Sequence, residues 1–277
     1  MRVLCLHGQG TSAHIFKSQT VSLRAKLDKS YQFDFVDAPF HCSPAPGVRV
    51  IFESGHWAWW PPKTTVNAIR GAHLWLTDYI AANGPYDMVM GFSQGCSLIG
   101  SFLLYHAREG TPADEPLPFK AAVFVCGGLP LEALDDLGLP VSQAAYDIDD
   151  ETVRLLKERA GALTDMARNP GQVQPGKGLW DSDEGLVHDA AVMPDESDVF
   201  GLDFSIMPRD VFVQIPTVHI YGAKDPRWPA SVQLAYFCKN RKMYDHGGGH
   251  DIPRSTEVSE AIAELIDGLR KEVDEAA

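Results

Sequence analysis

Short apolar, β-branched runs alternate along this chain with longer stretches whose apolar residues recur at helical spacing. The runs predict strands over 2–6, 31–37, 87–92, 119–126, 214–222 and 240–245. Between them the periodicity predicts helices over 14–28, 65–82, 94–108, 229–237 and 255–272, with a loop over 38–63. The last helix carries Val258, Ile262, Leu265, Ile266 and Leu269 on one stripe, the face that packs on a sheet. Strands alternating with helices predict an α/β fold with a mainly parallel central sheet flanked by helices on both faces. No internal repeat or low-complexity tract breaks the pattern.

One stretch does not follow it. From 129 to 210 the chain reads as an irregular insertion, with an amphipathic helix over 149–168 carrying Val153, Leu155, Leu156, Leu163 and Met166. The segment after it is rich in Gly, Pro and Asp, with isolated Trp180, Phe200 and Phe204. A structureless stretch of this length inside a domain is either functional or disordered. The expectation is one domain over 1–277 with a lid-like insertion at 129–210 that shapes a pocket; the alternative is a decorative insertion.

The strand at 87–92 runs into Gly91-Phe92-Ser93-Gln94-Gly95, and an apolar helix follows at once. Strand, tight turn and helix around G-x-S-x-G describe a nucleophile elbow, in which a strained turn projects the serine hydroxyl out of the fold. The glycines permit the close backbone approach that such a turn needs. Ser93 is thus the candidate nucleophile. An acid and a histidine follow in order, each just past a strand: Asp225 in Gly222-Ala223-Lys224-Asp225-Pro226, and His250 in His246-Gly247-Gly248-Gly249-His250. The order Ser, Asp, His is that of α/β-hydrolases, with His250 as base and Asp225 holding its tautomer. Asp203 and Asp210 compete for the acid but lie inside or at the edge of the insertion instead of just after a strand, and His246 competes for the base but lies at the strand end before the glycines.

The first strand supplies the remaining part, running into His7-Gly8-Gln9-Gly10-Thr11-Ser12. In α/β-hydrolases one oxyanion donor is a backbone N–H of such an early loop and the other that of the residue after the nucleophile. Gln9 and Gln94 are therefore the candidate oxyanion-hole residues, with His7 bracing the loop. Trp57, Trp59 and Trp60, in the long loop before the second long helix, are candidate substrate-binding residues, and His56 beside them is expected to be an exposed loop residue.

Leu6-His7-Gly8-Gln9-Gly10-Thr11-Ser12, the elbow, His219-Ile220-Tyr221-Gly222-Ala223-Lys224-Asp225 and Gly248-Gly249-His250-Asp251-Ile252-Pro253 together resemble the fungal FSH family of serine hydrolases. The resemblance runs from residue 1 to about 128 and from 211 to about 265, and includes Pro44-Ala45-Pro46-Gly47 before Trp57-Ala58-Trp59-Trp60. It implies an esterase or thioesterase, of the class that releases or trims polyketide chains in secondary-metabolite pathways. It also allows a substrate carried on the acyl carrier protein of a polyketide synthase. Transfer or cyclisation by the same triad, or a non-catalytic binding protein on the same fold, are the alternatives.

Composition narrows this further. The 277 residues carry 37 Asp and Glu against 24 Lys and Arg, a formal charge of −13. Phosphate backbones would repel such a chain, which excludes nucleic acid as the expected partner. The acid excess concentrates over 131–203 and 257–275. No run approaches the roughly 20 apolar residues of a membrane span, and the N-terminal run reads as a core strand, not a signal peptide; the expected location is cytosolic. Cys5, Cys42, Cys96, Cys126 and Cys238 are odd in number and form no C-x-x-C pair, so neither a disulfide scaffold nor a zinc site is expected. The chemistry implies no metal and no organic cofactor.

Overall fold

The computed structural model describes residues 1–48, 52, 55–109, 117–168 and 180–275, with the backbone alone over 163–168. The chain opens with β1 (Arg2–Leu6), α1 (Ala13–Gln19), α2 (Val21–Arg24), β2 (Gln32–Val36), β3 (Phe40–His41) and β4 (Trp57–Ala58). It continues with α3 (Val66–Asn83), β5 (Met88–Phe92), α4 (Gln94–Glu109), β6 (Ala121–Val125), α5 (Leu131–Asp136) and α6 (Gln143–Arg168). After a 3-10 turn at Arg209–Val211 come β7 (Thr217–Tyr221), α7 (Trp228–Tyr236), β8 (Arg241–Asp245) and α8 (Thr256–Glu275).

Six strands form one sheet in the order β2-β1-β5-β6-β7-β8, and every neighbouring pair is parallel. The period-2 alternation of each strand divides the apolar side chains between two faces. Leu4, Leu6, Val89, Ala122 and Phe124 join Ile69, Leu76, Leu98, Leu103, Val232 and Leu234 in one core, beneath α3, α4 and α7. Val3, Cys5, Met88, Met90, Val123, Val125, Val218 and Ile220 meet Phe16, Leu23, Ile262, Ile266 and Leu269 on the other face, beneath α1, α2 and α8. The result is the expected α/β architecture, with helices on both sides of a parallel sheet.

Two differences from the sequence expectation have local causes. The helix expected over 14–28 is broken at Thr20, whose backbone leaves the helical region (φ −92°, ψ 7°) while its hydroxyl donates back to Phe16 O (3.0 Å). The insertion helix begins earlier than expected, because Ser142 Oγ accepts from Ala145 N–H (3.2 Å) and caps a first turn that the acidic run at 147–151 obscured. Its Leu163 and Met166 side chains, and residues 169–179 beyond them, lie outside the described residues.

The insertion is also less irregular than its composition suggests. Short α5 is a helix, and Leu131, Leu134, Leu137, Leu139, Val199, Leu202, Phe204 and Met207 belong to the main core. The two ends of the 129–210 segment are therefore fixed parts of the fold. Among the described residues no helix is long and apolar enough to cross a membrane.

Two core histidines tie this packing to pH. His219 on β7 is fully buried, stacks on Phe124 and meets Thr217 Oγ1 (3.0 Å); burial pushes its pKa down to about 3. His73 on α3, against Ser101, is pushed down to about 4, again by burial. The unfolded chain takes up these protons as pH falls below about 6.5, while the fold refuses them until about 3 to 4. Stability therefore falls as pH drops through that window, and melting temperatures measured from pH 7 to 4 should show it. His219→Gln, which cannot titrate, should flatten the slope.

Candidate active site

The C-terminal ends of β1, β5, β7 and β8 meet at one edge of the sheet, and the loops leaving them carry the predicted site residues. At the end of β5, Ser93 stands in the left-handed region with φ +52°. A non-glycine residue there is strained, and the surroundings hold it. Ser93 N–H donates to Val125 O (3.0 Å), and Ser93 O accepts from Cys96 and Ser97 N–H in the first turn of α4. The flanking glycines are steric requirements. A Cβ on Gly95 would lie 2.1 Å from Leu6 O, and one on Gly91 would lie 2.7 Å from Cys96 N.

The acid and the histidine come from two loops that cross. A Cβ on Gly222 would lie 2.1 Å from Gly248 O, and Lys224 N–H donates to that same carbonyl (2.8 Å). This contact sets Asp225 against His250. Asp225 is fully buried; its Oδ1 accepts from Arg227 N–H (2.8 Å) and its Oδ2 from His250 Nδ1 (2.8 Å). With Nδ1–H thus engaged, His250 Nε2 is the acceptor that faces Ser93 Oγ at 3.0 Å. Ser93, His250 and Asp225 are therefore brought into one hydrogen-bonded line. The His250 side chain keeps 11% of its exposure, which leaves the ring accessible from one side.

The rivals are placed elsewhere. His246 meets Gly248 N–H with Nδ1 (3.2 Å) and the Cys126 thiol with Nε2 (3.7 Å), and burial lowers its pKa. Asp203 closes a turn on Ser205, and Asp210 pairs with Arg108 on the surface. Neither approaches His250 in the way Asp225 does.

Gln94 follows the serine directly, and Gly8, next to Gln9, packs against it: a Cβ on Gly8 would lie 3.2 Å from Ser93 Cβ. Gln94 is the first residue of α4, so its N–H has no acceptor within the helix. Gln9 is exposed in the loop after β1. His7, fully buried, donates from Nδ1 to Gly8 O (2.8 Å) and accepts Ala38 N–H at Nε2 (3.1 Å). Burial lowers the His7 pKa, which keeps the ring neutral in that tautomer.

The tryptophans are a correction. Trp59 is fully enclosed and Trp60 nearly so, so neither presents a wall to a substrate. Their indoles fill space beneath the loops instead, Trp59 between His7 and Trp75. Trp57, half-buried and stacked on His41, keeps an accessible edge. His56, expected to be exposed, is buried as well.

Two groups of contacts had no sequence signal. The insertion grips the loop that carries Asp225: Arg159 donates to Lys224 O (3.3 Å), His188 Nε2 donates to Ala223 O (2.9 Å), and Arg227 pairs with Asp149 (2.7 Å). The Trp180 ring covers Gly249, next to His250, so closely that a Cβ there would lie 2.0 Å from it. The second group centres on Cys126, whose Sγ lies with Asp225 and His250 donor atoms within 4.8 Å of one another. Burial, reinforced by Asp225 and Asp251, pushes this thiol far up, so it is a neutral donor toward Asp251 O (3.5 Å). A neutral thiol beside a carboxylate already bonded at both oxygens is a poor metal cage.

Comparison with known proteins gives a consistent picture. A family model described as "Serine hydrolase (FSH1)" matches residues 1–262. The chain is 28% identical to Esterase FPY3 of Fusarium mangiferae over 280 residues, covering 99% of this chain and 95% of that protein. It is 28% identical to Esterase alnB of Emericella nidulans over 294 residues, covering 96% and 95%. Among solved structures, a carboxylesterase from Mesorhizobium loti is similar over 96% of this chain and 88% of that one, at 14% identity and a TM-score of 0.49.

The burial pattern predicts the thiol chemistry. Cys5, Cys96, Cys126 and Cys238 are free but buried, with thiols raised by desolvation, and Cys42 is partly exposed. Titration of the native protein with an aromatic disulfide reagent at pH 8 should report one fast thiol, Cys42, and all five after denaturation.

Proposed function

The chain belongs to the serine hydrolase (FSH1) family, and on that premise we propose that it cleaves an ester or thioester of a hydrophobic acyl chain through Ser93, His250 and Asp225. The observation that carries the reading is the unbroken line from Asp225 Oδ2 through His250 to Ser93 Oγ, with spacings of 2.8 and 3.0 Å. Both are within the reach that proton transfer requires.

The steps follow from this geometry. Ser93 Oγ attacks the acyl carbonyl as its proton passes to His250 Nε2, and the buried Asp225 carboxylate stabilises the imidazolium. The carbonyl oxygen becomes an oxyanion held by the Gln9 and Gln94 N–H groups, each worth about 3 kcal/mol in the transition state. Collapse expels the alcohol or thiol, which takes the proton back from Nε2. Water then enters on the same side, gives its proton to Nε2 and attacks the acyl-enzyme, releasing the acid and restoring Ser93.

The hydrophobic acyl group is supported by the aromatic surfaces at the edge of the site. Trp180 of the insertion, partly exposed, lies over Gly249 next to His250, and Phe92, buried beneath, backs the His250 ring at 5.4 Å. The esterase names of the relatives support oxygen esters, and a polyketide-derived acyl chain, free or as a thioester on an acyl carrier protein, is the proposed natural substrate. The part of the insertion around Trp180 and His188 is proposed as the roof of the acyl site.

Two measurements test these points. Ser93→Ala should lose fluorophosphonate labelling and lower ester turnover by roughly 10⁴-fold or more with the melting temperature retained; persistent labelling would refute Ser93 as the nucleophile. Trp180→Ala should shift the preferred acyl length across a graded panel of oxygen esters and thioesters, and an unchanged profile would remove the insertion from the acyl site.

A further inference from the structure

The two donors assigned to the oxyanion sit on separate segments, the loop after β1 and the first turn of α4, and their separation must be held for both to reach one oxygen. Each N–H is aimed by the carbonyl that shares its peptide, since a planar trans peptide points N–H and C=O in opposite directions. Gly8 O, on the Gln9 peptide, is held by His7 Nδ1 (2.8 Å), Thr11 Oγ1 (2.7 Å) and Thr11 N–H (3.3 Å). Ser93 O, on the Gln94 peptide, is held by Cys96 and Ser97 N–H. Each donor therefore has a fixed direction on its own segment. The segments touch where Leu6 O meets Gly95, and a third piece of chain hydrogen-bonds to both of them.

That piece is 57–59. Trp57 and the first loop exchange two backbone hydrogen bonds, Gly10 N–H to Trp57 O (2.9 Å) and Trp57 N–H to Thr11 O (2.8 Å). Two residues on, Trp59 reaches both sides at once. Its indole Nε1–H donates to His7 O (2.7 Å), and its backbone N–H donates to the side-chain Oε1 of Gln94 (3.0 Å). Trp59 has no exposed surface, so water does not compete for the indole bond, and the bond to the partly exposed Gln94 is half-buried. A Gln side chain at the first helical position would ordinarily reach solvent; here it turns back to accept a buried amide.

We propose that Trp59 and the Gln94 side chain form a cross-brace that fixes the separation of the Gln9 and Gln94 N–H groups, and that both act as positioning residues for the oxyanion. The inference rests on the assignment of Ser93 and the two donors above. The brace explains why a fully buried indole lies against the loop that follows β1, and it gives the Gln94 side chain a role separate from that of its backbone. A displacement of about 1 Å between two donors is enough to weaken transition-state binding about 100-fold without touching the ground state.

The test is Gln94→Met, which keeps the backbone N–H and the side-chain bulk but removes the acceptor, beside Trp59→Phe, which removes the indole donor. The expected result for Gln94→Met is a kcat about 10- to 100-fold lower on a short-chain ester, with KM within about 2-fold of wild type. Affinity for a boronic acid that forms a tetrahedral adduct on Ser93 should fall by a similar factor. Full kcat with only a lowered melting temperature would overturn the brace and leave a structural role; a change confined to KM would overturn it in favour of substrate contact. If Trp59→Phe does not fold, Gln94→Met alone decides. A wild-type protein that fails to turn over the ester panel would sink the site assignment itself, whereas wild-type turnover with undiminished Gln94→Met kcat sinks only the brace.

Discussion

The close approach of β1 to the first turn of α4 is the constraint on which the site depends. Leu6 O occupies the space where a Cβ on residue 95 would stand, and a Cβ on Gly91 would also clash with the amide of Cys96. Because those backbones nearly touch, the chain turns from strand to helix within one residue, and Ser93 takes up the left-handed conformation. The strain at that residue is offset by hydrogen bonds on both sides of it and by the helix that begins there. The same contact brings the loop after β1 beside the helix N-terminus. One steric fact thus exposes the hydroxyl and gathers the candidate oxyanion donors around it.

A second closeness completes the arrangement at the other edge. Gly222 meets Gly248 backbone to backbone, and this crossing sets Asp225 and His250 at 2.8 Å. The carboxylate has no contact with water, so its two oxygens are committed to Arg227 N–H and to the imidazole. Burial of an anion is costly unless its hydrogen bonds are made, and here they also select the tautomer that leaves Nε2 facing the serine. The thiol of Cys126 beneath this pair contributes a neutral polar contact. A second ionised group there would compete with Asp225 for the same proton.

The insertion changes character once its contacts are known. Its ends are core, with Leu134 and Val199 among the fully buried side chains, while its middle touches both catalytic loops through Arg159, His188 and Trp180. The acids concentrated over 131–203 are not confined to its outer face. The Arg227 pair with Asp149 shows that some of those acids serve the acid loop directly.

The order of elements was legible in the sequence because each strand announces itself by an apolar run and each helix by its stripe, both local properties. So was the set Ser93, Asp225 and His250, since a nucleophile elbow is a contiguous pattern and the acid and base each follow a strand end. The early helix, by contrast, was drawn too long, because the back-bond from Thr20 to Phe16 is one of two options open to a threonine and packing chooses between them. Tryptophan 57, 59 and 60 could not be placed at all by pattern: an aromatic cluster in a Pro- and Gly-bearing loop reads the same whether it faces a substrate or a neighbour. Only the fold puts Trp59 between His7 O and Gln94 Oε1, contacts separated by 52 and 35 positions in the chain. By itself, then, the sequence determined which residues can do chemistry and in what order they occur, because turns and periodicity are local. The distances between loops, and the bonds that hold them, were decided by tertiary structure, because they depend on how two backbones meet across the sheet.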